Sequence, residues 1–378
     1  MTDLLATYRP YVRYDSQESF TCDSPAALTD AFRNGRTNSL KRANGTVLAA
    51  ADPNAGPAPL GLDFLDGAQY VSGEAVNAGD FLDEAGRDYV ADARRMHAID
   101  GLGDRVCAHL ATDAAGKRWL QYWFFYYYND KSFLGLGLHE GDWEMFQIGL
   151  DANDQPDLVT LAQHNTGERC TFADLELKDG APVIYEARGS HASHIHKGKY
   201  AAPVVPDYND GRGRIVRPDL IEIDDGFPSW VAWPGSWGST RARTAVESAS
   251  PRGPSKHLAW TDPAAFHAHA VPSHEVHARA ERERAVPGPP APAVSVQREG
   301  DHALLGYTAP GAAKLVASID SPDDALPPYT CMLDLTTPSG VHQFPITLGA
   351  GAYDVTVSAY DTEGHGSPPG HATLPANR

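Results

Sequence analysis

Residues 119–128 read WLQYWFFYYY, a run in which both alternating sets of positions carry aromatic rings. Successive side chains of a strand point to opposite faces. Trp119, Trp123 and Phe125 therefore share one face, and Tyr122, Phe124, Tyr126 and Tyr128 share the other. A strand that is apolar on both faces has to be covered on both, which puts it at the centre of a sheet. An exposed aromatic platform for sugar or nucleobase stacking is the lesser reading. Residues 106–111, joined to this run through DAAGK, predict an antiparallel partner, and residues 144–150 predict the next strand. Residues 158–164 and 182–187 add two more, and residues 85–98 predict a helix. The expected fold is mostly β: an antiparallel β-sandwich with long loops and one or two short helices.

With 378 residues, 29 prolines and 35 glycines, the chain fits two domains of unequal size rich in turns. The boundary falls at VPGPPAP, residues 286–292, a stiff extended linker that follows a predicted charged helix at 275–285. Beyond it, short alternating stretches at 293–297, 302–307, 314–319, 331–336, 342–346 and 353–360 predict a small C-terminal β-sandwich. Here the chain resembles a fibronectin type III module, most clearly in YDVTVSAYDTEGHGSPP at 353–369. That resemblance implies a spacer or interaction surface for residues 293–378, with the larger domain at 1–285.

Lys and Arg total 31 against 49 Asp and Glu, a net charge of −18. Such a field disfavours nucleic acid and anionic membrane as simple electrostatic partners, and suits a cation. Cys22, Cys107, Cys170 and Cys331 form no C-x-x-C pair, so reduced, mostly buried thiols are expected. The N-terminal MTDLLATYRPYVRYD lacks the pattern of a secretory signal, and no run is apolar over the ~18 residues needed to span a bilayer. A cytoplasmic setting is the default expectation, with non-classical export compatible.

Chemistry concentrates where the aromatic strands end. His139, Asp142 and Glu144 form an H-x-x-D-x-E array, with Asn129 and Asp130 just upstream. Oxygen donors with one imidazole are the ligand types that Mg²⁺ or Ca²⁺ take, with Mn²⁺ also compatible. In a strand Asp142 and Glu144 project to one face and Trp143 to the other. The alternative is a solvated turn whose acids pair with Lys131 and Arg118. Gln163 and His164 end one strand, and GSHASHIH at 189–196 follows another. His139, His164 and His191 all sit at strand ends, so they are expected to converge on one rim, with Ser190 beside His191. His164 and His191 are the candidate proton-transfer residues, and Asn129, Gln163 and Ser190 the candidate ligand contacts. DYNDGRG at 207–213 departs from a calcium loop at Gly211 and reads first as a structural turn. His267, His269, His274 and His277 lack zinc-protease spacing and read as surface histidines.

In order along the chain, YRPYVRYDSQES, HEGDWEMFQI, AQHNTG, ARGSHASHIHKGKY, NDGRG and WPGSWGS with SPRGPSKHLAW resemble the vacuolar protein sorting 62 family. Within them, QYWFFYYYND and LHEGDWE are similar to the core of the necrosis- and ethylene-inducing-like toxins, whose GHRHDWE heptapeptide holds a divalent cation that contacts glycosylated sphingolipid head groups. The resemblance implies His139, Asp142 and Glu144 as metal ligands, with Asp130 or Asn129 as a further oxygen donor. Gly141 stands where the toxins have a second histidine, and Leu138 replaces their leading glycine. The implied function is cation-dependent recognition of a glycan, glycolipid head group or phosphorylated small molecule. The alternative is a metal-dependent hydrolase or lyase using a rim histidine as general acid or base.

Overall fold

The computed structural model describes residues 4–29, 39–50, 61–65, 67–84, 88–131, 138–163, 166–200, 207–239, 250–277, 287–322 and 325–377. They are mostly strand, and they divide into two compact units, residues 1–15 with 20–279 and residues 16–19 with 280–378.

The first unit is organised by a seven-stranded sheet. Its order is Asp219–Glu222, Arg105–Thr112, Arg118–Asn129, His139–Leu150, Pro156–Gln163, Thr166–Thr171 and Val271–Pro272. The aromatic strand is central, as its pattern requires. Its neighbours pair antiparallel, Trp119 opposite Gly149 and Tyr126 opposite Asp142. The two outermost strands pair parallel, which the local hairpin pattern does not indicate, because they arrive from remote parts of the chain.

Each face of this sheet has its own core. On one side Leu120, Tyr122, Phe124, Phe146 and Ile148 pack against Val12 and Ile184. Those two belong to a second sheet in which Ala181–Glu186 lies between Leu177–Lys178 and Tyr11–Arg13 and also carries Ser193–His194. This is the sandwich. On the other side Trp123, Phe125, Trp143 and Met145 are covered by Ala93 and Met96 of a helix and by Trp230, Trp233, Trp237 and Trp260. Trp143 meets Trp237 edge to face at 5.4 Å, a favoured aromatic geometry.

The helix spans Tyr89–His97 rather than beginning at residue 85, because the Asp88 carboxylate accepts from the Ala91 N–H and caps it there. Residues 85–87 lie outside the described set, as does most of the charged helix expected at 275–285. Tyr128 also departs from its expected face. It joins the tryptophan side and stacks on Tyr89 at 3.9 Å. Opposite, Gly141 has φ of 59°, so the regular pleat is broken at this end of the strand pair.

Residues 293–377 form two facing sheets of their own, ordered Ala293–Glu299, His302–Thr308, Ser339–Gln343 and Tyr329–Asp334, Lys314–Asp320, Tyr353–Tyr360, Gly370–Leu374. Leu305, Leu315, Val357 and Phe344 are fully buried between them. The last strand, Gly370–Leu374, has no counterpart among the sequence-based expectations.

Candidate functional site

The end of the sandwich core nearest Gly141 is polar. Asp142 and Glu144, both buried, lie on the same strand face as Phe146, while Trp143 points to the opposite core, as the two-residue alternation predicts. Asp142 is a hub. Its Oδ2 accepts from Asn129 Nδ2 at 3.0 Å and lies 3.0 Å from His191 Nδ1, and its Oδ1 accepts from the Trp143 N–H at 3.0 Å. His139 Nε2 stands 4.0 Å from the same Oδ1. His139 Nδ1 donates to the Gly141 carbonyl at 2.7 Å, which leaves Nε2 as the ring nitrogen that faces Asp142.

Backbone strain builds this corner. His191 has φ of 55°, held by its N–H bond to Ala187 O at 2.9 Å, and its ring stacks on Tyr126 at 3.9 Å. Gly189, with φ of 71°, is required for a second reason: a Cβ there would overlap the Asp130 carbonyl. Gly141 has the same need, since a Cβ would overlap the Trp237 carbonyl.

Glu186 completes the cluster. Its Oε1 accepts from Ser193 Oγ at 2.9 Å, while its buried Oε2 has no hydrogen-bond partner among the described residues. Burial pushes this carboxyl up to about 8, against the bonds and charges of Ser193, His191 and His194 that favour ionisation. Burial, then Glu186, likewise raise the Tyr126 phenol well above its usual range.

The remaining expected residues gather on different acids. Gln163 Nε2 donates to Glu168 Oε2 and to the Ser193 carbonyl, both at 3.0 Å. Ser190 Oγ donates to Asp207 Oδ1 at 2.6 Å, and Lys131 Nζ to the same oxygen at 2.8 Å. His194 links these acids, 3.4 Å from Glu168 and 3.9 Å from Asp207. Burial opposes charge on both His194 and Glu168, yet their bonds win: Asp207 and then Glu168 shift the histidine up, and His194, His277 and Ser273 hold Glu168 at about 2. Lys131 pairs with Asp207, and Arg118 with Asp154. His164 lies outside the described residues. The 207–213 turn is structural: Asn209 Oδ1 accepts from Gly211 N, and its Nδ2 donates to Arg13 O at 3.0 Å.

The donor chemistry suits a hard cation: carboxylates in excess, one imidazole nitrogen facing Asp142 and the Glu186 Oε2 oxygen. Among the described residues, however, no three His, Cys, Asp or Glu side chains are already gathered in one coordination sphere. Glu168 and Glu186 were missed by sequence reasoning, and Asp207 was read only as part of a structural turn. The available signal was a lone acid at an inward position of a buried strand, as in APVIYE.

No family model matches this chain, and no curated protein matches it. Solved structures share local likeness. One is described as "NLPPya in complex with glucosamine", 15% identical over 31% of this chain and 49% of that one, TM-score 0.23. A second, "Toxin fold for microbial attack and plant defense", is 11% identical over 58% of this chain and 72% of that one, TM-score 0.28. A third, an Fn3-like protein from Clostridium thermocellum, is 23% identical over 24% of this chain and 96% of that one, TM-score 0.20. The chain spans about half the length of the first of these. Among the described residues, no helix is long and apolar enough to cross a membrane.

Proposed function

We propose that the first unit recognises a glycan, phospho-sugar or glycolipid head group at the sandwich rim, assisted by a divalent cation. The observation that carries this reading is the convergence of Asn129, His139 and His191 on Asp142, on a face that also buries Glu144 and Glu186. Carboxylates crowded out of water are stabilised by hydrogen bonds, by protons or by a cation. Asp142 and His139 would hold the ion, with Glu144 and Asp130 as the further ligands that the HEGDWE resemblance implies. The ion, Mg²⁺ or Ca²⁺ with Mn²⁺ compatible, would supply a positive centre for sugar hydroxyl or phosphate oxygens in a strongly acidic protein. Asn129 and His191 orient the Asp142 carboxylate for that task. Gln163 and Ser190, already committed to Glu168 and Asp207, would act on a ligand only through those acids.

The test is calorimetry with glucosamine and with glycolipid vesicles, each with added Mg²⁺ or Ca²⁺ and with chelator. Metal-dependent binding that is lost in Asp142→Ala is expected. Equal, negligible metal content in parent and variant would reject the cation.

A second reading, a hydrolase or lyase, is favoured by one feature. Glu186, with a pKa of about 8, keeps its proton at neutral pH and sits in the charge field of His191, as a general acid would. Release of sugar or phosphate from a glycoside or phosphomonoester panel, abolished in Glu186→Gln, would select this reading over binding.

A further inference from the structure

A second site lies away from Asp142. An open cleft of about 580 Å³ is bounded by Arg169 and Thr171 on one strand, by His196, by His267 on the helix Pro263–His269, and by Ser273, His274 and His277. The parallel pairing of Val271–Pro272 with Glu168–Arg169 brings these remote segments together. Three of the four histidines expected at the surface, His267, His274 and His277, therefore line one cleft. Five basic side chains line a single cleft in a chain of net charge −18.

The acids nearby are already engaged. Glu168 is fully buried behind the cleft, accepts from Ser273 Oγ at 2.5 Å and Gln163 Nε2 at 3.0 Å, and lies 3.3 Å from His277 Nε2. The Asp174 carboxylate accepts from the Thr171 N–H at 2.9 Å and its hydroxyl at 2.8 Å. Arg169 is oriented by its Nε bond to Ala270 O at 2.9 Å. The basic groups also oppose one another. His196 is shifted down by burial and then by His277, and His267 by burial and then by Arg169. Weaker fields from Glu168 and Glu176 on His196, and from Lys117 and Asp157 on His267, complete the surroundings. Burial keeps the Cys170 thiol neutral, so it adds no charge.

We propose that this cleft binds a phosphomonoester. A dianion relieves the repulsion among the basic groups, and a guanidinium offers it paired donors. The Glu168–His277 contact aims the imidazole. The volume suits a small phosphorylated molecule. This assignment uses no residue of the Asp142 hub and stands without it.

The test is calorimetry with inorganic phosphate, glucose 6-phosphate and glucose at about pH 8, where the phosphomonoester is a dianion. Both phosphates should bind, glucose should not, and Arg169→Gln and His274→Gln should each weaken binding roughly tenfold or more. His274 is exposed, so its variant guards against misfolding as the cause. Phosphate binding should persist with chelator present throughout, which separates this claim from the cation-dependent rim proposal. Vesicles containing phosphatidic acid, competed with glucose 6-phosphate, distinguish a lipid phosphate from a soluble one. Absence of phosphate binding, unchanged affinity in Arg169→Gln, or chelator-reversible Zn²⁺ uptake without phosphate binding would overturn it.

Discussion

The two units of this chain bury different things. The first unit buries Asp15, Asp23, Asp80, Glu84, Asp92, Glu140, Asp142, Glu144, Glu168, Glu186 and Asp207, whereas the buried polar residues among the described part of the second are Gln17, Glu18, Ser19, Ser318, Ser321 and Ser358, with Glu18 the one acid among them. Both are β-sandwiches, so the fold itself does not demand buried acids. Removing a carboxylate from water costs several kcal/mol unless it is bonded, and a unit that tolerates this repeatedly does so for chemistry rather than stability. The C-terminal sandwich has the interior of a scaffold.

Substitutions should sharpen this contrast. Asp142→Ala strips the acceptor from Asn129 and His191 in a buried corner and should cost about 3 kcal/mol or more of unfolding free energy, measured by denaturant titration. A loss below about 1 kcal/mol would break the hub picture. Gly141→Ala, where φ is 59° and the Trp237 carbonyl blocks a Cβ, should cost about 2 to 4 kcal/mol by the same measurement. Gly116→Ala has φ of 83° with open space around it, and should cost only about 1 kcal/mol.

Glu186 makes a signed prediction about pH. Its carboxyl is raised from 4.5 to about 8 on folding, so the folded state holds a proton that the unfolded chain releases. Its contribution is fully present below about pH 4.5 and is lost as pH rises towards about 8. Glu186→Gln should flatten that decline, by about 2 kcal/mol or more between the two ends. Parallel pH profiles of parent and variant would contradict a buried neutral acid. At the smallest end, Ser318→Ala in the C-terminal sandwich should change stability by no more than about 1 kcal/mol at any pH.

The strand order around residues 105–163 was legible because alternating aromatic and aliphatic side chains encode two covered faces locally. Asp142, Glu144 and Trp143 took their faces by the same rule. Tyr128 did not, since the positive φ of Gly141 interrupts the pleat, and glycine alone does not announce its dihedral angle. The histidine cleft was illegible for another reason. His196, His267 and His277 are separated in sequence and meet only through a parallel strand pairing and a sheet edge. Gln163 and Ser190 were expected as ligand contacts; they bond to Glu168 and Asp207, which belong to strands that no short motif connects.

The placement of Trp143 has a practical consequence. It shares a backbone with Asp142 yet faces Trp230 and Trp237, with ring planes at 22° and 81° to its own. Indoles so close and so fixed couple their electronic transitions, giving near-ultraviolet circular dichroism that is sensitive to small rotations. Occupancy on the acidic side should therefore be readable, without any attached dye, as an optical change on the side that holds no ligand at all.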